Sequence, residues 1–220
     1  MVRLGKLYLI DLEATIFDQT LDRTVIHIHS VAFLALKTSF EEQSKASEEW
    51  PDENTGISKD QYEDFIRSEW MAQVRALATM TFALMETQLL GFLKTNLAFI
   101  GRRLRECEGT YGKKRDGEFR RLAAKYRECY DIEFESLPGV ETCREVILAR
   151  NDCIHHDCVP SENYKQKTCQ RFVGADGLLI LDESTLAIAA ADLKRFTRAL
   201  ATAIRRQIDV AEAIKAEKPL

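Results

Sequence analysis

The octet Arg-Asn-Asp-Cys-Ile-His-His-Asp at positions 150 to 157 gathers the side chains best suited to chemistry into about one and a half helical turns. Arg150 offers a planar fork of N–H donors that matches a phosphate or a carboxylate. His155 carries an imidazole, the group that exchanges protons near neutral pH. Asn151 stands four residues before His155, so on a helix the two stack on one edge, with Leu148 below them. Counting from Cys143 through Ile147 to Ile154 puts Arg150 on the apolar stripe of the same segment, where a guanidinium needs a partner.

A second charge is equally out of place. Glu86 falls in the stripe of a long apolar segment, between Phe82 and the Leu89, Leu90 and Leu93 positions. Two readings of the pair stand side by side. Glu86 and Arg150 lock two helices together, or Glu86 holds Arg150 in the orientation that presents it to a phosphate. Cys153, His155, His156, Asp157 and Cys158, with His27 and His29, are zinc-type ligands, but their spacing follows no usual structural-zinc pattern. Cys153 or Cys158 as a nucleophile beside an imidazole would lack an oxyanion hole and an orienting third group. No glycine-rich phosphate loop is present. The expectation is a site with no metal and no cofactor.

The elements that must position these residues read as helical. A first helix is expected from about 24 to 49, with Ile26, Phe33, Leu36 and Phe40 on one side and Pro51 beyond its end. The opening segment before it carries no decisive period. Ser58 followed three residues later by Gln61 forms a capping-box signature for a very long helix that runs through Phe82, Leu89, Leu93, Leu97 and Ile100 to Leu104. A helix from about 117 to 131 and one from Val140 to near Pro160 follow. The segment 177 to 188 has two β-prone runs around Asp-Glu-Ser and is expected to form a small β-hairpin. A last helix, about 189 to 214, carries Leu193, Phe196, Leu200, Ile204 and Ile208 on one stripe. The fold class is all-α: an up-and-down bundle of four to five main helices plus that hairpin, in a single domain over 1–220.

At 220 residues and 45% hydrophobic content the chain can bury a sizeable core, and its formal charge of −4 excludes a uniformly basic nucleic-acid binder. Charge is concentrated locally. Residues 41 to 69 hold ten acidic and three basic side chains, whereas 101 to 127 hold ten basic and four acidic. The second run, including Arg102, Arg103, Lys113, Lys114, Arg115, Arg120 and Arg121, is the footprint expected for a phosphate backbone. Six cysteines without a C-x-x-C pair, and an N-terminus without a secretory signal, point to a reduced, cytoplasmic setting. Glu86 and Lys94 interrupt the most apolar stretch, which argues against a membrane span.

Arg150, Asn151, three further residues and His155 resemble the R-N-x-x-x-H form of the R-x(4-6)-H motif of the HEPN superfamily, the higher eukaryotes and prokaryotes nucleotide-binding domain. The resemblance covers a HEPN-like core of about 58–214, with the N-terminal helical extension 1–50 outside it. It implies a helical bundle that forms a homodimer with a shared active-site cleft. It also implies a metal-independent endoribonuclease in a toxin–antitoxin or phage-defence system, with RNA as substrate and an antitoxin or regulatory protein as partner. Arg150 and His155 would be the catalytic pair, with Asn151 and Glu86 in support. The alternative is a non-catalytic module of that fold that binds a nucleotide or a protein. One HEPN subgroup, whose toxin is modified by its antitoxin, carries Tyr two residues after the His; this chain has Asp157 there, which speaks against that mode of control.

Overall fold

Apolar residues recur at helical spacing along most of the chain, and the computed structural model is all-α accordingly. It describes the backbone of residues 2–48, 56–100 and 117–216, and their side chains except at 2–8, 98–100, 129 and 211–216. Helix α1 (Val2–Thr20) continues through a π-helical turn (Leu21–Ile26) into α2 (His27–Glu48). Next come α3 (Lys59–Ile100), α4 (Glu118–Tyr130), a 3-10 turn (Phe134–Ser136) and α5 (Val140–His155). The short α6 (Glu162–Lys167) and the long α7 (Glu183–Ala216) complete the order. By length and composition the Lys59–Leu97 part of α3 is apolar enough to cross a membrane, with 44% of its most apolar window buried; the core helix of a folded domain meets the same test.

The start of α3 is set as its sequence implies. The Ser58 N–H donates to Gln61 Oε1 at 3.0 Å and the Gln61 N–H donates to Ser58 Oγ at 3.3 Å, a reciprocal cap. The expected hairpin at 177 to 188 is corrected: no strand occurs among the described residues, and Glu183 already begins α7. Asp182 decides this. Its carboxylate accepts the Thr185 N–H at 2.7 Å and the Ser184 hydroxyl at 2.9 Å, while its own N–H donates to Thr185 Oγ1 at 3.1 Å. These bonds, led by the Thr185 N–H, hold Asp182 below the usual carboxylate range, and they convert a β-prone run into a helix start. All that remains of pairing is one antiparallel bridge between Val173 and Leu179.

Packing divides the chain into two compact units. The first comprises Met1–Asp22, Met85–Arg144 and Ile188–Leu220; the second comprises Arg23–Leu84 and Glu145–Ala187.

In the first unit, Ile10, Ala14 and Phe17 of α1, continued by Leu21 at the start of the π-helical turn, form one buried stripe, and Leu193, Phe196, Leu200 and Ile204 form that of α7. Along the edge of these stripes Asp11, Asp18 and Asp22 pair with Arg205, Arg198 and Lys194. The intervals of seven and four residues along α1 and the first turn of its π-helical continuation are reversed along α7, so the two helices run antiparallel in one register. Phe134 lies at the centre of an aromatic cluster, its ring 5.1 Å from Tyr126, 5.3 Å from Phe196 and 5.6 Å from Phe119. The chain enters α5 through Gly139, whose φ is +85°; a Cβ there would lie 2.2 Å from the Asp192 carbonyl oxygen of α7. Gly139→Ala is therefore expected to destabilise the chain by about 1–3 kcal/mol through strain and collision together. Chemical denaturation at equal slope reads this directly; an unchanged midpoint would contradict the close approach.

In the second unit, Trp70 of α3 sits between Phe33 and Phe40 of α2, with ring centres 6.1 and 5.0 Å away. His29, one turn before Phe33, is 2% exposed. Its Nε2 lies 2.9 Å from the Leu181 carbonyl and its Nδ1 2.7 Å from the Thr81 hydroxyl. A carbonyl only accepts, so Nε2 carries the proton and the neutral ring leaves Nδ1 as an acceptor. Burial lowers the His29 pKa from 6.5, against the raising effect of the Leu181 carbonyl. The unfolded chain then binds that proton more readily than the folded one. The stability contributed is complete above the unfolded pKa and is lost as pH falls below it. The thermal midpoint should fall as pH drops from about 7 to about 5, and His29→Gln should flatten that slope. Equal slopes in the two proteins would show that another group sets the acid limit.

Candidate functional site

Helix α5 presents a buried face somewhat different from the stripe expected for it. Thr142, Cys143, Glu145, Val146, Ala149, Asp152 and Cys153 are buried, whereas Ile154 is 45% exposed. The counting through Cys143, Ile147, Arg150 and Ile154 is thus displaced by about one residue. Arg150 stands at the half-buried edge and not at the centre of the stripe. The cause lies in two acidic side chains that count as core here. Glu145 and Asp152 are seven apart on one face, beside Val146 and Cys153 at the same interval.

Glu145 is 1% exposed and organises the irregular chain that follows α5. Its Oε1 accepts the Tyr164 hydroxyl at 2.8 Å and the Arg171 backbone N–H at 2.8 Å. Its Oε2 faces the Arg171 guanidinium Nε at 2.8 Å and accepts the Cys169 thiol at 3.2 Å. Both oxygens are thus spent, which is the condition for keeping a carboxylate charged in a core. Burial, then the Glu145 charge, pushes the Tyr164 phenol well above its ordinary value, so it stays a donor. Asp152 does a similar service closer to the motif. Its Oδ2 accepts the Ser161 N–H at 2.7 Å, and Ser161 in turn caps α6 by accepting the Tyr164 N–H at 3.2 Å.

These two anchors fix the end of α5 on which the sequence motif sits. Arg150 Nη1 donates to Asn151 Oδ1 at 3.0 Å, so the amide next along the helix holds the guanidinium. His155, the last residue of α5, is exposed, as is His156. Beyond it Asp157 and Cys158 adopt left-handed backbone with φ of 51° and 61°, which reverses the chain. Arg75 of α3 pairs with Asp157 at 2.5 Å, bringing a second guanidinium to this turn. Arg75, Glu145 and Asp152 were not singled out from the sequence. The signal for the two acids was their seven-residue interval flanked by apolar residues at the same interval; for Arg75 there was none.

The remaining expected residues distribute as follows. Glu86 is half-buried on the stretch of α3 that belongs to the first unit, while Arg150, Asn151 and His155 belong to the second. Arg120 and Arg121 are exposed on α4. Arg102, Arg103, Lys113, Lys114 and Arg115 lie outside the described residues. No three His, Cys, Asp or Glu side chains among the described residues are placed to hold a metal ion, and His29 is committed to Thr81 and Leu181.

No family model, curated protein or solved structure matches this chain.

Removing the Glu145 carboxylate takes an acceptor from the Arg171 guanidinium, the Arg171 N–H and the Tyr164 hydroxyl together. Glu145→Ala should cost about 3–5 kcal/mol, the range for breaking one side of a buried ion pair. Urea denaturation measures it, and a loss no larger than that of an exposed pair, about 1 kcal/mol or less, would contradict the clamp.

Proposed function

We propose that the chain is a metal-independent endoribonuclease of the HEPN type, in which Arg150 and His155 act on the RNA phosphate. The observation that supports this reading is the placement of the pair. Arg150 is held by Asn151 through a 3.0 Å hydrogen bond, and His155 is exposed one and a half turns further along, at the end of the same helix. An oriented guanidinium and an accessible imidazole on one rigid element are the two groups that transesterification of RNA requires.

In the proposed reaction the 2′-hydroxyl attacks the adjacent phosphorus and the P–O5′ bond breaks, leaving a 2′,3′-cyclic phosphate and a free 5′-hydroxyl. His155 transfers a proton to or from the reacting oxygens. Arg150 stabilises the charge that builds on the non-bridging phosphate oxygens. Asn151 keeps the guanidinium from turning away. Arg120 and Arg121, exposed on α4, are assigned to phosphate contacts that hold RNA without reading its sequence. The setting that goes with this reading is a cytoplasmic homodimer of helical bundles, controlled by an antitoxin or regulatory protein in a toxin–antitoxin or phage-defence system.

The test is incubation of the purified protein with single-stranded RNA in excess EDTA. The wild type should produce cyclic-phosphate and 5′-hydroxyl ends. Arg150→Ala and His155→Ala should each slow cleavage by about 10²–10⁴-fold, the usual share of a positioned proton-transfer group, with folding unchanged by circular dichroism. Cleavage that persists undiminished in both variants would remove the assignment. Absence of cleavage by the wild type, with nucleotide or protein binding lost in Arg150→Ala, would favour the non-catalytic module.

A further inference from the structure

Arg75 reaches the helix end that carries His155 from a different element, and the ribonuclease reading gives it no task. Its Nη1 donates to Asp157 Oδ2 at 2.5 Å, two residues past His155. The Arg75 side chain is 31% exposed and that of Asp157 75% exposed, so the pair lies open to water on the surface of the turn. The root of the arginine is fixed. Its carbonyl accepts the Thr79 hydroxyl at 2.8 Å and the Cys158 thiol at 3.8 Å, and Cys158 is buried. Helix α3 and the turn are therefore in direct contact, and the guanidinium stands at the turn without relying on a long free arm.

Asp157 satisfies this guanidinium only in part. It engages one nitrogen through one oxygen, while Arg75 Nε, shielded from solvent, has no acceptor among the described residues. A guanidinium binds an anion most firmly through two parallel N–H donors, so half of the fork is unused. The other arginine pair of this unit is built differently. Arg171 meets a Glu145 carboxylate that is 1% exposed and has both oxygens engaged. That pair is closed, whereas an exposed pair on one oxygen is screened by water and holds weakly. The Arg75 pair is therefore the exchangeable one.

We propose that Arg75 is a second phosphate-binding residue for the RNA strand, and that Asp157 is a built-in competitor which the strand displaces. The inference rests on the reading of this helix end as an RNA site, and adds how the strand is held there. A strand with one phosphate at Arg150 and His155 carries further phosphates on either side, and Arg75 stands at the adjoining turn. The exchange asks for little movement. The Asp157 carboxylate, already exposed, turns into solvent, and phosphate oxygens take its place on Nη1 and on a second donor of the fork. While no RNA is bound, Asp157 neutralises the guanidinium and sets the affinity below what Arg75 alone would give. Because the contact is to phosphate and reads no base, that reduction applies to every sequence alike.

The test measures binding apart from cleavage, using the full chain and a fluorescein-labelled single-stranded 2′-O-methyl RNA, which has no free 2′-hydroxyl and so stays intact. Fluorescence anisotropy gives the affinity at several salt concentrations, with folding of each variant checked by circular dichroism. Arg75→Ala should weaken binding about tenfold and make the slope of log affinity against log salt shallower by about 0.7, the share of one single-strand phosphate. Arg75→Lys should restore most of that slope. Asp157→Asn should tighten binding by about two- to fivefold, the worth of an exposed pair, and the gain should vanish when it is combined with Arg75→Ala. A purely structural pair predicts the opposite sign, because breaking it loosens the turn. Unchanged or weaker binding by Asp157→Asn would overturn the proposal. So would a gain that persists in full without Arg75, an unaltered salt slope in Arg75→Ala, or a wild type that does not bind the strand. Cleavage of unmodified RNA is scored separately. Cleavage without the Asp157→Asn effect keeps the ribonuclease and removes the competitor, whereas the expected binding pattern without cleavage keeps the competitor and removes the ribonuclease.

Discussion

The buried carboxylate of Glu145 is the constraint on which the second unit depends. Residues 156 to 182 contain only the six-residue α6, so they cannot hold themselves in place by helix hydrogen bonds. They are held instead by groups that converge on Glu145: the Tyr164 hydroxyl, the Arg171 N–H and the Arg171 guanidinium. A buried ion pair adds little net stability over an apolar equivalent, because desolvating two charges offsets most of their attraction. What it does supply is definition. The path of the chain that satisfies both oxygens of this carboxylate returns Pro160 and Phe172 to the core.

The end of α5 inherits that definition. Asp152 fixes Ser161, the left-handed pair Asp157 and Cys158 folds the chain back, and Leu179 donates its N–H to the Cys158 carbonyl at 2.8 Å. Such a turn is costly for non-glycine residues, and it persists because its neighbours anchor it from several directions. The result is a helix terminus that leaves Ile154, His155, His156 and Asp157 exposed between the buried Cys153 and Cys158. Polar groups at an anchored, exposed helix end are well suited to meet a ligand.

The helices were legible where period and caps agreed. Ser58 and Gln61 formed the cap their spacing implied, and α4 and α7 carry their apolar residues on one face. What was missed followed from local signals overridden by partners distant in the chain. The N-terminal segment lacks a decisive period, yet it is helical from Val2, where the acids of α1 meet the cations of α7 across nearly the whole sequence. The β-prone run near 180 became a helix start because Asp182 caps it. For the site, residue types at Arg150, Asn151 and His155 were readable, but the stripe of α5 was displaced because Glu145 and Asp152 count as core. Their burial depends on Tyr164, Ser161 and Arg171, and no spacing rule on α5 contains those partners.

The claim that carboxylates of α5 hold the irregular segment, and through it the exposed helix end, is tested most directly by amide hydrogen exchange at Arg171 and Ser161. Neither amide is part of a helix ladder, and each donates to one buried α5 carboxylate, at 2.8 and 2.7 Å. Both should exchange orders of magnitude more slowly than exposed loop amides, and the Arg171 amide should lose that protection in Glu145→Ala while the helical amides of α2 keep theirs. Exchange at the rate of free loop amides in the wild type would show that the segment is not clamped, and would contradict the account.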